Sequence, residues 1–192
     1  MNKKILIING HPRKDSLNYA MAEAYSKGAE NSGAEVKTIN IIDLDFNEFG
    51  TVFQNFEQVA DIKNVQEQIL WANHLVWVYP TWWYTVPALM KAFIEQTMHS
   101  GFAFKYLKSD KIVKWDKYLK GKTARIISTM DAPPWYYKIF VGDPAYKTLK
   151  AMLVFCGIKP LGRTYFGSVK LAKDEQIKKW LLSVEELGKN LK

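Results

Sequence analysis

A polar segment near the N-terminus carries the residue types that bind an anion. It reads Gly10-His-Pro-Arg-Lys-Asp-Ser-Leu-Asn18 and runs directly into residues with helical spacing. The first N–H groups of a helix have no carbonyl partner within it, so a helix N-terminus attracts phosphate. His11 and Arg13 add hydrogen-bond donors or charge, and Ser16 and Asn18 add short polar side chains. We therefore expect this segment to hold a phosphate group.

The same segment lacks the two common Gly-rich phosphate motifs. It contains neither G-x-G-x-x-G nor G-x-x-x-x-G-K-[ST], which argues against a dinucleotide-binding Rossmann domain and against an NTPase. A simpler interpretation is that Asp15 or Ser16 only caps the following helix. Asp15 beside a phosphate is unfavourable unless it serves as that cap.

Two further segments are rich in aromatic residues and proline. They read Tyr79-Pro-Thr-Trp-Trp-Tyr-Thr-Val-Pro87 and Ser128-Thr-Met-Asp-Ala-Pro-Pro-Trp-Tyr-Tyr137. Aromatic side chains bury a large area against a flat ring. We expect Trp82, Trp83 and Tyr84 to contact a planar cofactor; the alternative is that they are core or dimer-interface residues.

The later of these segments offers both polar and aromatic candidates. Ser128 and Thr129 are suited to hydrogen-bond a ring carbonyl, and Trp135, Tyr136 or Tyr137 are suited to line an acceptor pocket. For Tyr136 and Tyr137, ordinary packing is an equal alternative.

Strand-like and helix-like periodicity alternate along the whole chain. The predicted strands are Lys3–Asn9, Val36–Ile42, His74–Tyr79, Thr123–Thr129 and Lys159–Val169. Their alternation with helices predicts a parallel sheet covered on both faces, and no repeat or linker divides residues 1–192, so we expect one domain. Ligands bind such sheets beyond the carboxyl ends of the strands. The three segments above follow the first, third and fourth strands, so we expect them to meet.

Composition narrows the class of protein. The longest apolar runs are strand-sized, which predicts no membrane-inserted segment. The three histidines have no metal-ligand spacing, so we expect no metal site, and G-x-S-x-G is absent. Cys156, the lone cysteine, lies on the apolar face of a helix, which predicts a buried thiol and a reducing compartment, the cytoplasm.

The net charge of +8 is concentrated in one part of the chain. Residues 105–122 contain seven lysines and two aspartates. We interpret them as a solvated basic loop and expect no nucleic-acid partner. Attraction of a phosphorylated nicotinamide is the alternative.

Together these motifs resemble the flavodoxin-like NAD(P)H dehydrogenase (quinone) family. This family includes the NAD(P)H:quinone oxidoreductases, the modulator-of-drug-activity proteins and flavoprotein ancillary subunits of potassium efflux systems. The resemblance covers nearly the whole chain and rests on Gly10-His11-Pro12 with Ser16 and Asn18, Pro80 to Ala88 with Lys91, Gly101 to Phe104, and Phe155-Cys156-Gly157. In place of the two-glycine turn of the better-known quinone reductases, this chain has Met130-Asp131.

The resemblance implies a flavodoxin-like three-layer sandwich with strand order 2-1-3-4-5. It also implies a flavin, FMN or FAD, which NAD(P)H reduces and a quinone, azo or nitro compound reoxidises, in a homodimer. The implied cofactor-binding residues are His11, Ser16, Leu17, Asn18, Pro80, Thr81, Trp82, Trp83, Tyr84, Ser128, Thr129 and Tyr136. Trp83 and Tyr136 are the candidate catalytic residues among them. Two alternatives stay open at this point: an electron carrier that holds FMN, and a flavin-binding regulatory subunit of a membrane transporter.

Overall fold

Five parallel strands form the central sheet of the protein. The computed structural model describes residues 3–46, 59–109 and 112–191. The sheet strands are β1 (Lys4–Asn9), β2 (Glu35–Asn40), β3 (His74–Pro80), β6 (Thr123–Thr129) and β7 (Lys159–Phe166). Their order is β2-β1-β3-β6-β7, and every neighbouring pair is parallel. Strands β4 (Phe104–Leu107) and β5 (Lys114–Lys117) lie outside this sheet, so β6 and β7 are its fourth and fifth strands. The predicted 2-1-3-4-5 order is therefore confirmed.

Helices cover both faces of this sheet. The helices are α1 (Leu17–Asn31), α2 (Ala60–Trp71), α3 (Ala88–Thr97), the short α4 (Pro134–Tyr136), α5 (Pro144–Cys156) and α6 (Asp174–Lys189). Alternate strand residues pack on opposite layers, since successive side chains of a strand point to opposite faces. One core cluster joins the sheet to α2, α3 and α5, and the other joins it to α1 and α6. All seven residues of β3 are buried, as expected for a central strand covered on both sides.

The layer formed by α1 and α6 depends on two glycines. A Cβ placed on Gly28 would lie 1.9 Å from the carbonyl oxygen of Glu185, and one on Gly188 would lie 2.2 Å from that of Tyr25. The two helix backbones therefore touch where these glycines lie. Sequence periodicity predicted both helices but gave no reason for the glycines.

The lysine-rich segment contains structure that the sequence analysis missed. Where we expected a solvated loop, β4 (Phe104–Leu107) and β5 (Lys114–Lys117) pair as an antiparallel hairpin. Trp115 stacks on Phe155 with ring centroids 4.5 Å apart, and its indole N–H donates to the Phe155 carbonyl at 3.0 Å. The many lysines of this segment obscured the apolar pattern of its strands. The expectation of a loop was therefore wrong for β4 and β5.

Predicted element ends differ from the observed ends by a few residues. β2 ends at Asn40 because residues Ile41–Asp43 form a 3-10 turn, and β7 ends at Phe166 rather than at Val169. β7 is an edge strand with a register irregularity opposite Ala124 and Arg125, which accommodates Pro160. In the described part of the chain no helix has both the length and the apolar character to span a bilayer. No group of three potential metal ligands occurs among the same residues.

Candidate functional site

The turn after β1 is fixed by the side chain of Asn9. Its amide nitrogen donates to Asn40 Oδ1 at 3.1 Å, and its Oδ1 accepts the His11 backbone N–H at 3.2 Å. Gly10 packs closely against α3, since a Cβ there would lie 2.6 Å from Met90 Sδ. Its φ does not lie in the left-handed region.

Ser16 caps the N-terminus of α1. Its hydroxyl accepts the Tyr19 backbone N–H at 3.2 Å, whereas Asp15 instead pairs with Arg13 at 2.8 Å. The backbone N–H groups of Leu17 and Asn18 lie in the first turn, which has no carbonyl partners of its own. The Ser16 cap therefore does not use the backbone N–H groups of Leu17 and Asn18.

Asn18 presents a buried donor at the same place. Only 2% of the residue is exposed. Its Oδ1 accepts the Thr129 hydroxyl at 2.9 Å, but its Nδ2 has no hydrogen-bond partner among the described residues. Leaving a buried donor unmatched costs about 1–3 kcal/mol. A ligand oxygen in the adjoining cavity would satisfy Asn18 Nδ2.

His11 is a neutral donor beside this helix end. Burial, and after it the charge of Arg13, lower the pKa of His11 below its ordinary value. Because His11 Nδ1 accepts the Arg13 backbone N–H at 3.1 Å, the proton of the neutral ring is on Nε2. The imidazole also makes an edge contact with Trp82, with centroids 5.6 Å apart, so the turns after β1 and β3 touch.

Two aromatic residues after β3 hold an unusual backbone conformation. The N–H of Trp82 donates to the Thr85 carbonyl and the N–H of Thr85 to the Trp82 carbonyl, both at 2.9 Å. Trp83 and Tyr84, between them, have φ of 48° and 64°. Positive φ at both central residues is typical of a type I′ turn, which normally selects Asn or Gly. The turn leaves Trp83 94% exposed.

Tyr137 supports this turn from the segment after β6. Its hydroxyl donates to the Tyr84 carbonyl at 2.9 Å and accepts the Ala145 backbone N–H at 3.0 Å. The rings of Tyr84 and Tyr137 are nearly parallel, with centroids 6.4 Å apart. Residues Tyr137–Val141 form one turn of π-helix, which follows α4.

The turns after β3 and β6 are also joined at their bases. Thr81 N–H donates to the Thr129 carbonyl at 2.7 Å, and the hydroxyls of Thr81 and Ser128 are 2.8 Å apart. Ser128 is fully buried and is occupied by this contact. The three predicted turns therefore meet at the carboxyl edge of the sheet.

Two adjoining cavities open at this edge. The first has a volume of about 430 Å³ and is lined by His11, Pro12, Arg13, Ser16, Leu17, Asn18, Pro80, Thr81, Trp82, Thr129, Met130, Asp131, Val169 and Lys170. The second, of about 620 Å³, is lined by Thr81, Trp82, Trp83, Tyr84, Met130, Asp131, Ala132, Tyr137 and Lys170. Both fall within the size range of small-molecule sites.

Ten of the twelve predicted site residues line one or both cavities. Ser128 and Tyr136 do not. Tyr136 stacks on Phe140 with centroids 5.6 Å apart, while its neighbour Tyr137 lines the second cavity. For the segment after β6, the structure thus brings Tyr137 rather than Tyr136 to the cavity.

Residues after β7, which were not predicted as site residues, complete the lining. Val169 and Lys170 reach the cavities, and Lys170 pairs with Asp131 at 3.0 Å. The rule that ligands bind beyond strand carboxyl ends applies to the fifth strand as well, so it would have identified this loop.

The residues at the first cavity fit a flavin phosphate. They comprise the unmatched first-turn amides of α1, the neutral His11 and the unpartnered amide of Asn18. Neutral donors of this kind bind a phosphate at a helix N-terminus. Trp82, which lines both cavities, supplies an aromatic surface next to them.

Known proteins with similar sequences carry oxidoreductase names. The chain is 26% identical over 178 residues to an uncharacterized NAD(P)H oxidoreductase of Haemophilus influenzae, covering 88% of this chain and 86% of that one. It is 26% identical to NAD(P)H dehydrogenase [quinone] 1 of Cavia porcellus, covering 54% of this chain and 46% of that one.

Solved structures share the fold. Smu.1420 from Streptococcus mutans superposes with a TM-score of 0.82 at 29% identity, covering 97% of this chain and 99% of that one. An FMN-dependent NADH-azoreductase from Bacillus anthracis, solved with FMN, gives 0.75 at 20% identity, covering 100% and 99%. The sequence also matches the Flavodoxin_2 family, described as flavodoxin-like fold, over residues 3–187. With this match, the observed strand order and the site at the carboxyl edge, the chain belongs to the Flavodoxin_2 family of flavodoxin-like proteins.

Proposed function

We propose that this protein is a flavin-dependent oxidoreductase that transfers two electrons from NAD(P)H to a quinone or a similar flat acceptor. The observation that carries the proposal is the pair of adjoining cavities. One presents donors suited to a phosphate, and the other has aromatic walls. The relatives named NAD(P)H oxidoreductase and NAD(P)H dehydrogenase [quinone] support it.

The first cavity holds the flavin in this proposal. The first-turn amides of α1, Ser16 and Asn18 would hold the phosphate, and Trp82 would offer an aromatic surface to the ring. We favour FMN because the azoreductase neighbour was solved with FMN. When bound, the flavin would supply the two-electron redox chemistry between the nicotinamide and the acceptor.

The second cavity admits first the nicotinamide and then the acceptor. Trp83, Tyr84 and Tyr137 line it, and flat rings stack on such side chains. The residues that line this cavity contribute position and exclusion of water. Trp83 and Tyr136 are the candidate catalytic residues of this proposal. Trp83 lines the second cavity, and Tyr136 precedes Tyr137, which lines it.

We further propose a homodimer in the cytoplasm. Ile139 and Phe140 are 71% and 70% exposed, next to the aromatic segment that borders the second cavity. Exposed apolar side chains in such a group mark an interaction surface. Cys156 is buried and its pKa is raised to about 11, mainly by desolvation, which suits an unreactive thiol in a reducing compartment.

Anaerobic mixing of the FMN-loaded protein with NADH or NADPH tests the proposed function. We expect rapid loss of the oxidised flavin absorbance, followed by its recovery when a quinone is added. An electron carrier or a regulatory subunit would keep its oxidised spectrum after either nicotinamide is added, and that result would overturn the enzyme assignment.

A further inference from the structure

The two cavities share one wall. Five residues line both of them: Thr81, Trp82, Met130, Asp131 and Lys170. Two of the five, Asp131 after β6 and Lys170 after β7, are charged and pair with each other. This ion pair therefore lies between the proposed cofactor cavity and the proposed acceptor cavity.

The lining of the second cavity has no net charge because of this pair. Among the described residues that line it, Asp131 and Lys170 carry the formal charges, and the others are aromatic, apolar or hydroxyl-bearing. The first cavity has in addition the cation Arg13. The second cavity thus lacks the excess positive charge that would attract an anionic acceptor.

The pair is not what holds the two loops together. The N–H of Met130 donates to the Phe166 carbonyl at 2.9 Å, and the N–H of Val169 donates to the Met130 carbonyl at 3.2 Å. The Lys170 backbone N–H also donates to Asp131 Oδ1 at 3.3 Å. The side chains of Asp131 and Lys170 are 54% and 82% exposed, and exposed pairs contribute little to folding. Backbone hydrogen bonds and the Asp131 Oδ1 contact, which an asparagine amide oxygen can retain, therefore maintain the wall without the two side-chain charges.

We propose that the Asp131–Lys170 pair sets the charge specificity of the acceptor site, which consequently takes uncharged planar aromatic acceptors. The inference rests on the proposed function of the second cavity. A charged acceptor loses hydration against the aromatic walls and gains no net opposite charge from the pair. An uncharged ring loses no such hydration and gains the stacking contacts.

Removing either charge leaves the other uncompensated at the wall. Asp131→Asn leaves the Lys170 ammonium, which attracts an anion and repels a cation. Lys170→Gln leaves the Asp131 carboxylate, with the opposite effect. One unpaired charge several ångströms from a ligand near a protein surface changes a dissociation constant by about three- to tenfold, and added salt reduces the change.

The test measures equilibrium binding of three probes to the oxidised, FMN-loaded protein at low and high salt. The probes are 1,4-naphthoquinone, its 2-sulfonate and a naphthoquinone bearing a trimethylammonium group. Asp131→Asn is expected to raise the affinity for the sulfonate and to lower the affinity for the cation, each by about three- to tenfold. Lys170→Gln is expected to have the opposite effects. Both should change the neutral probe by less than about twofold, and the double variant should return all three to near wild-type values.

A second ion pair provides the control. Lys27 of α1 pairs with Glu185 of α6 at 3.1 Å, away from the shared wall. Lys27→Gln and Glu185→Gln alter the net charge by the same amounts as the two wall variants. They should leave the relative affinities for the three probes unchanged.

Two failures are distinguishable. If the wild-type protein binds the neutral quinone but neither wall variant separates the two charged probes, the specificity inference is wrong and the proposed function stands. If the wild-type protein binds none of the three probes, the proposed acceptor and the inference both fall.

Discussion

At the scale of single residues, the turn at Trp83 and Tyr84 stores strain beside the second cavity. Non-glycine residues in the left-handed region cost about 1–3 kcal/mol each and persist where the surroundings determine them. Here the surroundings are the paired bonds between Trp82 and Thr85 and the hydroxyl of Tyr137. Strained backbone of this kind is frequent at functional sites.

Tyr137→Phe should loosen that turn. It removes the donor to the Tyr84 carbonyl and the acceptor of the Ala145 N–H, so we expect a loss of about 1–3 kcal/mol in the free energy of unfolding. Urea denaturation measures it. Tyr118→Phe, at a half-exposed tyrosine after β5, serves as the control and should change stability by less than about 0.5 kcal/mol. Equal stabilities for the two variants would show that the Tyr137 hydroxyl does not support the turn.

Ser16→Asp places a negative charge where the flavin phosphate is proposed. Aspartate caps helices as well as serine does, so α1 should form normally. FMN affinity should fall by roughly ten- to hundredfold from charge repulsion. Ser16→Asn, which caps without a charge, should lose much less. Fluorescence titration of FMN compares them, and equal affinities in the two variants would place the phosphate elsewhere.

His74 makes stability depend on pH. Desolvation first, then the charges of Lys3 and Arg125, lower its pKa to about 3, and its Nδ1 bonds the Thr123 hydroxyl at 2.7 Å. Between that value and the ordinary pKa near 6.5, the unfolded chain binds a proton that the folded protein does not. The titration of His74 therefore does not affect the free energy of unfolding above about pH 6.5. Below that pH the free energy of unfolding falls by about 1.4 kcal/mol per pH unit.

Urea denaturation at several pH values between about 7.5 and 5 checks this. The variant His74→Asn removes the titrating group, so its stability should fall less steeply with acid than that of the wild-type protein. Parallel pH profiles for the two proteins would contradict the assignment to His74.

At the scale of helices and strands, the glycines between α1 and α6 determine how closely these helices pack. Alanine normally stabilises a helix interior relative to glycine by about 1 kcal/mol. At Gly28 the added Cβ meets the Glu185 carbonyl at 1.9 Å, so we expect Gly28→Ala to destabilise by about 2–4 kcal/mol instead. Thermal denaturation shows whether Gly28→Ala lowers or raises the stability. Glu23→Ala on the exposed side of α1 is the control, and a stabilised Gly28→Ala protein would refute the close packing.

Sequence periodicity predicted the five sheet strands and the major helices because each has a continuous apolar strand or an apolar face. It failed at β4 and β5, where the order of lysines hid Phe104 and Trp115, whose partner Phe155 lies far along the chain. For the site, the rule that ligands bind beyond the carboxyl ends of parallel strands predicted that the three turns meet. It could not distinguish Tyr137 from Tyr136, since adjacent residues of a short helical segment point in different directions.

At the scale of the whole molecule, the exposed side chains of Ile139 and Phe140 form the candidate surface for the proposed dimer. Phe140→Asp should shift the proposed dimer toward monomer, because a carboxylate in an apolar interface would be desolvated without a partner. Light scattering across a dilution series measures the mass. Leu182→Asp, at an exposed leucine of α6, should leave the mass unchanged. An unaltered mass for Phe140→Asp would remove this face from the interface.

The position of all three turns at one edge of the sheet is the basis of the functional account. One measurement tests it most directly: titration of the flavin-free protein with FMN, followed by flavin fluorescence and visible absorbance. We expect saturable binding of one FMN per chain, with a perturbed absorbance spectrum from the aromatic contacts. A protein that is folded by circular dichroism yet takes up neither FMN nor FAD would contradict it.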